Sequence, residues 1–309
     1  MNRRDSLVGN ALLFIAALIW GCAFVAQSMG MEHMGPFTFQ VARSLLGAGV
    51  LLPLILLRRW QARRRGADPR LSPRQRRDLI IGGVLCGLLL AVATNLQQVA
   101  LQYTTAGKAG FLTALYILMV PVAGVLRGRW PRPLLWLCIA LAALGLYLLS
   151  VKDGFTIETA DLMLILCAVV FTGHILLVDH FSPRVSGLQL SALQFLVSGL
   201  ISVIPMLLLE RPSIAGLTSG WIAIAYTGIL SSGVAYTLQI IGQRRTTPTM
   251  ASLIMSLESV FALLCGVLLL FERPSLRELL GSAIMFGAIL LAQWAQMPPR
   301  VRHQETAVS

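Results

Sequence analysis

In this chain of 309 residues 56% are hydrophobic and only 12% charged, and the mean hydropathy is +0.77. That composition excludes a soluble globular domain. The net charge of +12 would suit nucleic acid, but nine arginines crowd into one loop, Arg58–Arg77, whose only aromatic residue is Trp60. That distribution reads as a membrane-topology signal, with lipids and not nucleic acid as the surrounding partner.

In chain order, ten apolar stretches of about 20 residues each have the length of a bilayer crossing. They are Leu7–Ser28, Pro36–Leu57, Leu79–Gln102, Thr105–Leu126, Leu134–Val151, Asp161–Ser182, Leu188–Leu209, Trp221–Gly242, Thr247–Phe271 and Leu276–Met297. The first is longer than a signal-peptide core and lacks a small-residue cleavage site, so it is expected to stay as a membrane helix. Residues 298–309 form a tail. With the helices alternating, 19 of the 25 Lys and Arg fall on the side of the basic loop and both termini. The positive-inside rule puts that side in the cytoplasm and predicts a multi-pass protein of a bacterial plasma (inner) membrane. The five cysteines, Cys22, Cys86, Cys138, Cys167 and Cys265, fall one by one in separate spans. Neither a disulfide nor a metal site is expected of them, and no cofactor motif is present.

A shift of 142 from Ala91 onward overlays the chain on its own second half without a gap. It pairs Gln97 with Gln239, Thr104-Thr105 with Thr246-Thr247, Gly124 with Gly266 and Gly145 with Gly287. A shift of 151 pairs the opening spans more loosely: Asn10 with Asp161, Trp20 with Phe171, Arg43 with Gln194. The repeat unit is therefore five helices, residues 7–151 and 161–297. Five is odd, so the two units enter the bilayer from opposite sides. The expected fold is an all-α polytopic membrane protein of ten transmembrane helices in two inverted five-helix repeats. Secondary transporters are built this way, with substrate bound near the midplane between the repeats.

Several motifs carry a more specific resemblance. They are Asn10 to Gly21 with its Ile19-Trp20-Gly21 turn, Gly35-Pro36-Phe37, Arg43, and Thr104 to Phe111. The second half adds Thr246-Thr247-Pro248, Met255 to Phe261, Phe271-Glu272-Arg273 and the Gly281…Gly287 spacing. Over residues 7–297 the chain resembles EamA-type proteins of the drug/metabolite transporter superfamily. The resemblance implies a carrier that is no enzyme, moving a small molecule such as an amino acid, a drug or another metabolite, most often outward. It assigns no substrate, and helix six departs from the opening motif, reading Val170-Phe171-Thr172-Gly173.

Ionisable groups inside a membrane are costly, so each is a candidate functional residue. Glu258 lies eleven residues into its span, ~16 Å from the start and near the midplane. Arg43 lies ~10 Å from the end of helix two, and Lys108 sits within snorkelling reach of the interface. Three roles are open for Glu258: an ion pair with Arg43 or Lys108, a neutral hydrogen-bonded carboxyl, or a site that exchanges a proton or binds a substrate amine. The repeat places Glu258 on Tyr116 and Arg43 on Gln194, so the charges break the pseudo-symmetry.

Helix three carries Asn95, Gln98 and Gln102 on one face with Thr94 and Gln97 alongside, and helix eight carries Ser231, Ser232, Tyr236, Gln239 and Gln243. Amides do not face lipid, and inter-helix hydrogen bonds average only about 0.6 kcal/mol, so a polar cavity between the repeats is the favoured reading. Trp20, Tyr116 and His174 are further lining candidates; for His174 a packed imidazole bonded to a backbone carbonyl competes. Asp179 and His180 read as interfacial.

The function expected is secondary active transport, by alternating access, of a small polar or amphipathic metabolite, with protons as candidate coupling ions. A facilitative exchanger, an uptake carrier, and a lipid scramblase or channel are the alternatives. An intramembrane hydrolase finds no support in motifs: Ser231-Ser232-Gly233 with His174 is the best pairing available, and no metalloprotease or nucleophile-elbow pattern is present. Oligomeric state is not legible.

Overall fold

Caps written into the sequence set where many of the helices begin. Pro36 and Pro73 stand in the first turns of α2 (Pro36–Arg64) and α3 (Pro73–Ala100), where proline loses no helical hydrogen bond. Ser72 and Gln75 form a reciprocal capping box ahead of α3. The computed structural model describes residues 3–66, 70–104, 106–150, 158–270 and 274–295. All regular structure among them is helical. The remaining helices are α1 (Arg3–Met31), α4 (Ala106–Thr113), α5 (Tyr116–Leu126), α6 (Pro133–Ser150), α7 (Thr159–Phe181), α8 (Gly187–Leu209), α9 (Ile214–Ser219), α10 (Trp221–Ala225), a π-helical stretch Tyr226–Ala235, α11 (Tyr236–Gln243), α12 (Pro248–Met255), α13 (Glu258–Leu270) and α14 (Leu276–Ala295). Nine helical segments among the described residues have the length and hydropathy to cross a membrane, and Pro133–Leu148 is a shorter apolar tenth. The chain is an all-α polytopic membrane protein. The 298–309 tail, and with it the C-terminus, lies outside the described residues.

Three spans depart from the continuous helices expected. The fourth breaks into α4 and α5 at Ala114-Leu115, and the ninth into α12 and α13 at Ser256-Leu257. The two breaks share a pair of equivalent bonds. Leu115 N donates to Leu112 O and Ile117 N to Ala114 O, while Leu257 N donates to Ile254 O and Ser259 N to Ser256 O. Each is a tightened i to i+3 turn, 142 residues apart. The eighth span widens into the π-helical stretch between α10 and α11, beside the close approach of Gly47 to Gly228 and Ser232.

Packing follows the repeat. The second span packs along the seventh (α2 on α8), the fifth along the tenth (α6 on α14), and the fourth against the ninth (α5 on α12). The third packs on the sixth (α3 on α7) and the first on the eighth (α1 on the π-helical stretch and α11). Exchanging the two halves maps the first three of these contacts onto themselves and the last two onto each other, as a pseudo-twofold axis requires. The axis therefore passes between the broken fourth and ninth spans. Glycines permit the closest crossings: a Cβ on Gly145 would stand 2.6 Å from Gly281 O and 2.8 Å from Met285 N. Gly287, grouped with it by spacing, faces open space.

One expectation fails here. Cys22 of α1 and Cys265 of α13 are joined as a disulfide, with Cα atoms 5.5 Å apart. The crossing of α1 over α13, where Gly21 abuts Phe261, brings together two cysteines that sequence separation kept apart. Cys86, Cys138 and Cys167 are free and buried.

Candidate transport cavity between the repeats

At the centre of the bundle lies a cavity of about 50 Å³. Both halves contribute walls. The first five spans supply Trp20, Ala23, Phe24, Gln27, Arg43, Gln97, Thr113 and Tyr116; the second five supply Phe171, Ile175, Ser231, Tyr236, Gln239, Met255 and Glu258.

The two helix breaks position the carboxyl. Glu258 opens α13 and Tyr116 opens α5, so each sits at the mouth of a half-helix facing the axis. Tyr116 Oη donates to Glu258 Oε1 at 2.9 Å. Among the described residues Glu258 makes no ion pair with Arg43. The Lys108 backbone is in α4, and its side chain lies outside the described residues.

Arg43 is buried in α2 and held by neutral amides. Its Nε donates to Gln40 Oε1 at 2.7 Å, and its Nη1 donates to Gln27 Oε1 at 2.8 Å. Gln40 in turn donates through Nε2 to Thr94 Oγ1 at 2.7 Å and to Ser44 Oγ at 3.0 Å. Charge-assisted bonds of this kind offset part of the desolvation of a buried guanidinium. Among the described residues no carboxylate pairs with it, which favours an anionic group in the cavity it lines. Aromatic rings form another part of the wall: Trp20 meets Tyr236 edge-on with centroids 4.8 Å apart, and Phe195 backs Tyr236 at 5.0 Å. The wall thus offers a cation, a carboxyl with a phenol, three amides and flat apolar faces.

Eight of the residues singled out in the sequence meet at this cavity: Glu258, Arg43, Gln97, Gln239, Tyr236, Ser231, Trp20 and Tyr116. Asn95, Gln98 and His174 lie elsewhere. Asn95 turns to α8 and donates to Ser202 Oγ at 2.8 Å. Gln98 is fully buried with its amide unpartnered. His174 stands behind the wall, 3.0 Å from Gln194 Oε1 through Nε2; its partner is an amide side chain and not a backbone carbonyl. The amide face of helix three therefore splits, Gln97 reaching inward to Thr113 Oγ1 at 3.1 Å while Asn95 serves helix packing. Gln27, Gln40 and Thr113 went unremarked in the sequence. A signal existed for Gln40, which stands three residues before Arg43 on the same helical face. Asp179 pairs with Arg129 at 3.3 Å in an exposed contact, as an interfacial residue would.

The EamA-like transporter family model matches residues 7–151 and 158–294. The chain belongs to the EamA-like transporter family. An uncharacterized transporter of Archaeoglobus fulgidus is 27% identical over 90% of this chain and 82% of its own length. The uncharacterized inner membrane transporter YedA of Escherichia coli K12 is 25% identical, covering 94% of this chain and 92% of its own. A solved crystal structure with 21% identity superposes with a TM-score of 0.74 over 96% of this chain and 98% of that one, sharing the fold. This EamA-family chain is accordingly a multi-pass membrane protein of a transporter family, and the cavity between its repeats is its candidate transport site.

Proposed function

We propose that this EamA-family protein is a secondary active transporter of the bacterial inner membrane. It exports a small zwitterionic or amphipathic metabolite, an amino-acid-like compound or drug, by alternating access, with both termini in the cytoplasm. The single observation that carries this reading is one cavity, walled by both repeats, that holds a guanidinium bound only by amides and a separate carboxyl bound by a tyrosine. A ligand with a carboxylate and an ammonium fits two such poles, and its apolar portion fits the rings of Trp20 and Tyr236. Two nearly equivalent halves have two nearly equivalent packings, which is the physical basis for alternating exposure of the site. Glu258, the deepest carboxyl, is the candidate for proton coupling or amine binding.

The test is a thermal-shift screen of purified protein against amino acids, nucleosides and cationic drugs, followed by flux of any stabilising compound in proteoliposomes. Saturable flux with counterflow is expected. Non-saturable flux without counterflow assigns a channel, and lipid flipping alone a scramblase.

A further inference from the structure

The cavity is not symmetric about the axis that relates its walls. Gln97 and Gln239, Tyr116 and Glu258, Thr113 and Met255, Trp20 and Phe171, and Phe24 and Ile175 are repeat mates, and all ten line it. Gln27 and Arg43 line it as well, toward the connection between the first and second spans, but their mates do not. By the 151 shift those mates are Val178 and Gln194, and the mate of Ala23 is His174. Val178, Gln194 and His174 are each 0% exposed. The cavity thus reaches Ala23, Gln27 and Arg43 on the side of the first connection, while on the side of the connection between the sixth and seventh spans it stops at Phe171 and Ile175 and does not reach the equivalent residues.

What packs that end is a polar pair behind two rings. His174 Nε2 lies 3.0 Å from Gln194 Oε1. The rings of Phe171 and Tyr236, both cavity-lining, stand 6.4 and 6.1 Å from the imidazole. His174 Nδ1 and Gln194 Nε2 are buried without a hydrogen-bond partner. Buried polar atoms are seldom left so, and two of them one ring behind a transport cavity are a cost with no return in this packing.

We infer that His174 and Gln194 form the ligand-facing wall of the opposite access state, reached when the Phe171 and Tyr236 rings give way. The inference rests on the alternating-access reading above. Exchange of the two repeat conformations makes Gln194 take the place of Arg43, and His174 that of Ala23. The anionic group of a ligand then leaves a guanidinium for an imidazole–amide surface, and its binding weakens on that side. Export and uptake faces differ in affinity because the repeats differ at these positions.

Impermeant thiol labelling tests this in proteoliposomes of known orientation, on protein whose own cysteines are replaced by alanine and which remains monodisperse. The probe is sulfonatoethyl methanethiosulfonate, applied to Arg43→Cys and Gln194→Cys from each face. Because the reaction is irreversible, a minor state accumulates label. Arg43→Cys should react faster from the face of the first connection and Gln194→Cys from the opposite face, each by about tenfold or more. Gln194→Cys that stays inert while Arg43→Cys reacts, or that reacts from the same face, overturns the inference and leaves the transporter reading standing. Arg43→Cys that reacts equally from both faces overturns the inference and leaves the transporter reading standing; Arg43→Cys and Gln194→Cys that both stay inert from both faces overturn both. Should Gln194→Cys fail to fold, His174→Cys carries the same expectation and the same refutation.

Discussion

Tyr116 and Glu258 are the same residue position in the two repeats, 142 apart, and they are hydrogen-bonded to each other at 2.9 Å. A residue can touch its own repeat mate only on the pseudo-twofold axis. The Glu258 carboxyl therefore stands where the halves meet, at the broken turns of α4–α5 and α12–α13.

Glu258→Gln keeps an acceptor for Tyr116 and removes the titrating group. Folded, monodisperse protein with transport abolished, or with its pH dependence flattened, is expected if the carboxyl couples or binds amine. Normal transport with the parent pH profile removes Glu258 from the site.

Tyr116→Phe strips the donor and leaves a buried carboxyl oxygen alone, at a cost of about 1–3 kcal/mol in stability. Combined with Glu258→Gln, the penalty should shrink, because a neutral amide is cheaper to leave unpaired than a carboxylate. Melting temperatures of the two single variants and the double variant measure this coupling.

The amides of helix three should behave in two ways. Asn95→Ala loses a bond to Ser202 that belongs to packing, so stability falls by about 0.6 kcal/mol while ligand affinity in the surviving protein is unchanged. Gln97→Ala and Gln239→Ala remove cavity groups and should weaken binding by about 1 kcal/mol per lost hydrogen bond. Affinity and melting temperature, read on the same preparations, decide; a loss of affinity in Asn95→Ala would extend the site toward α8.

Glycine substitutions should sort by contact. Gly21→Ala places a Cβ 2.4 Å from Phe261 Cβ and 2.7 Å from Phe261 C, pressing backbone on backbone, and should destabilise by about 1–3 kcal/mol. Gly49→Ala meets nothing within 4 Å and serves as the neutral control.

The Cys22–Cys265 link has a direct readout. Alkylation of denatured, unreduced protein should modify the three cysteines Cys86, Cys138 and Cys167, and reduction should expose the other pair. Five modified thiols without reduction would show the pair to be free.

The membrane character, the number of spans, the five-helix repeat and the two deep charges are properties of the sequence alone. Hydrocarbon admits only helices whose backbone is satisfied internally, and it makes each buried charge conspicuous. Which way a polar face turns is another matter. Asn95 and Gln97 are two residues apart on one helix, and only the placement of α8 and α4 against α3 sends the first to Ser202 and the second to Thr113. The breaks at Ala114-Leu115 and Ser256-Leu257 carry no proline or glycine, so local propensity does not announce them. Packing about the axis imposes them, and through them Tyr116 reaches Glu258. In the same way Cys22 found Cys265, because helix crossing, unlike helix formation, is decided between residues far apart in the chain.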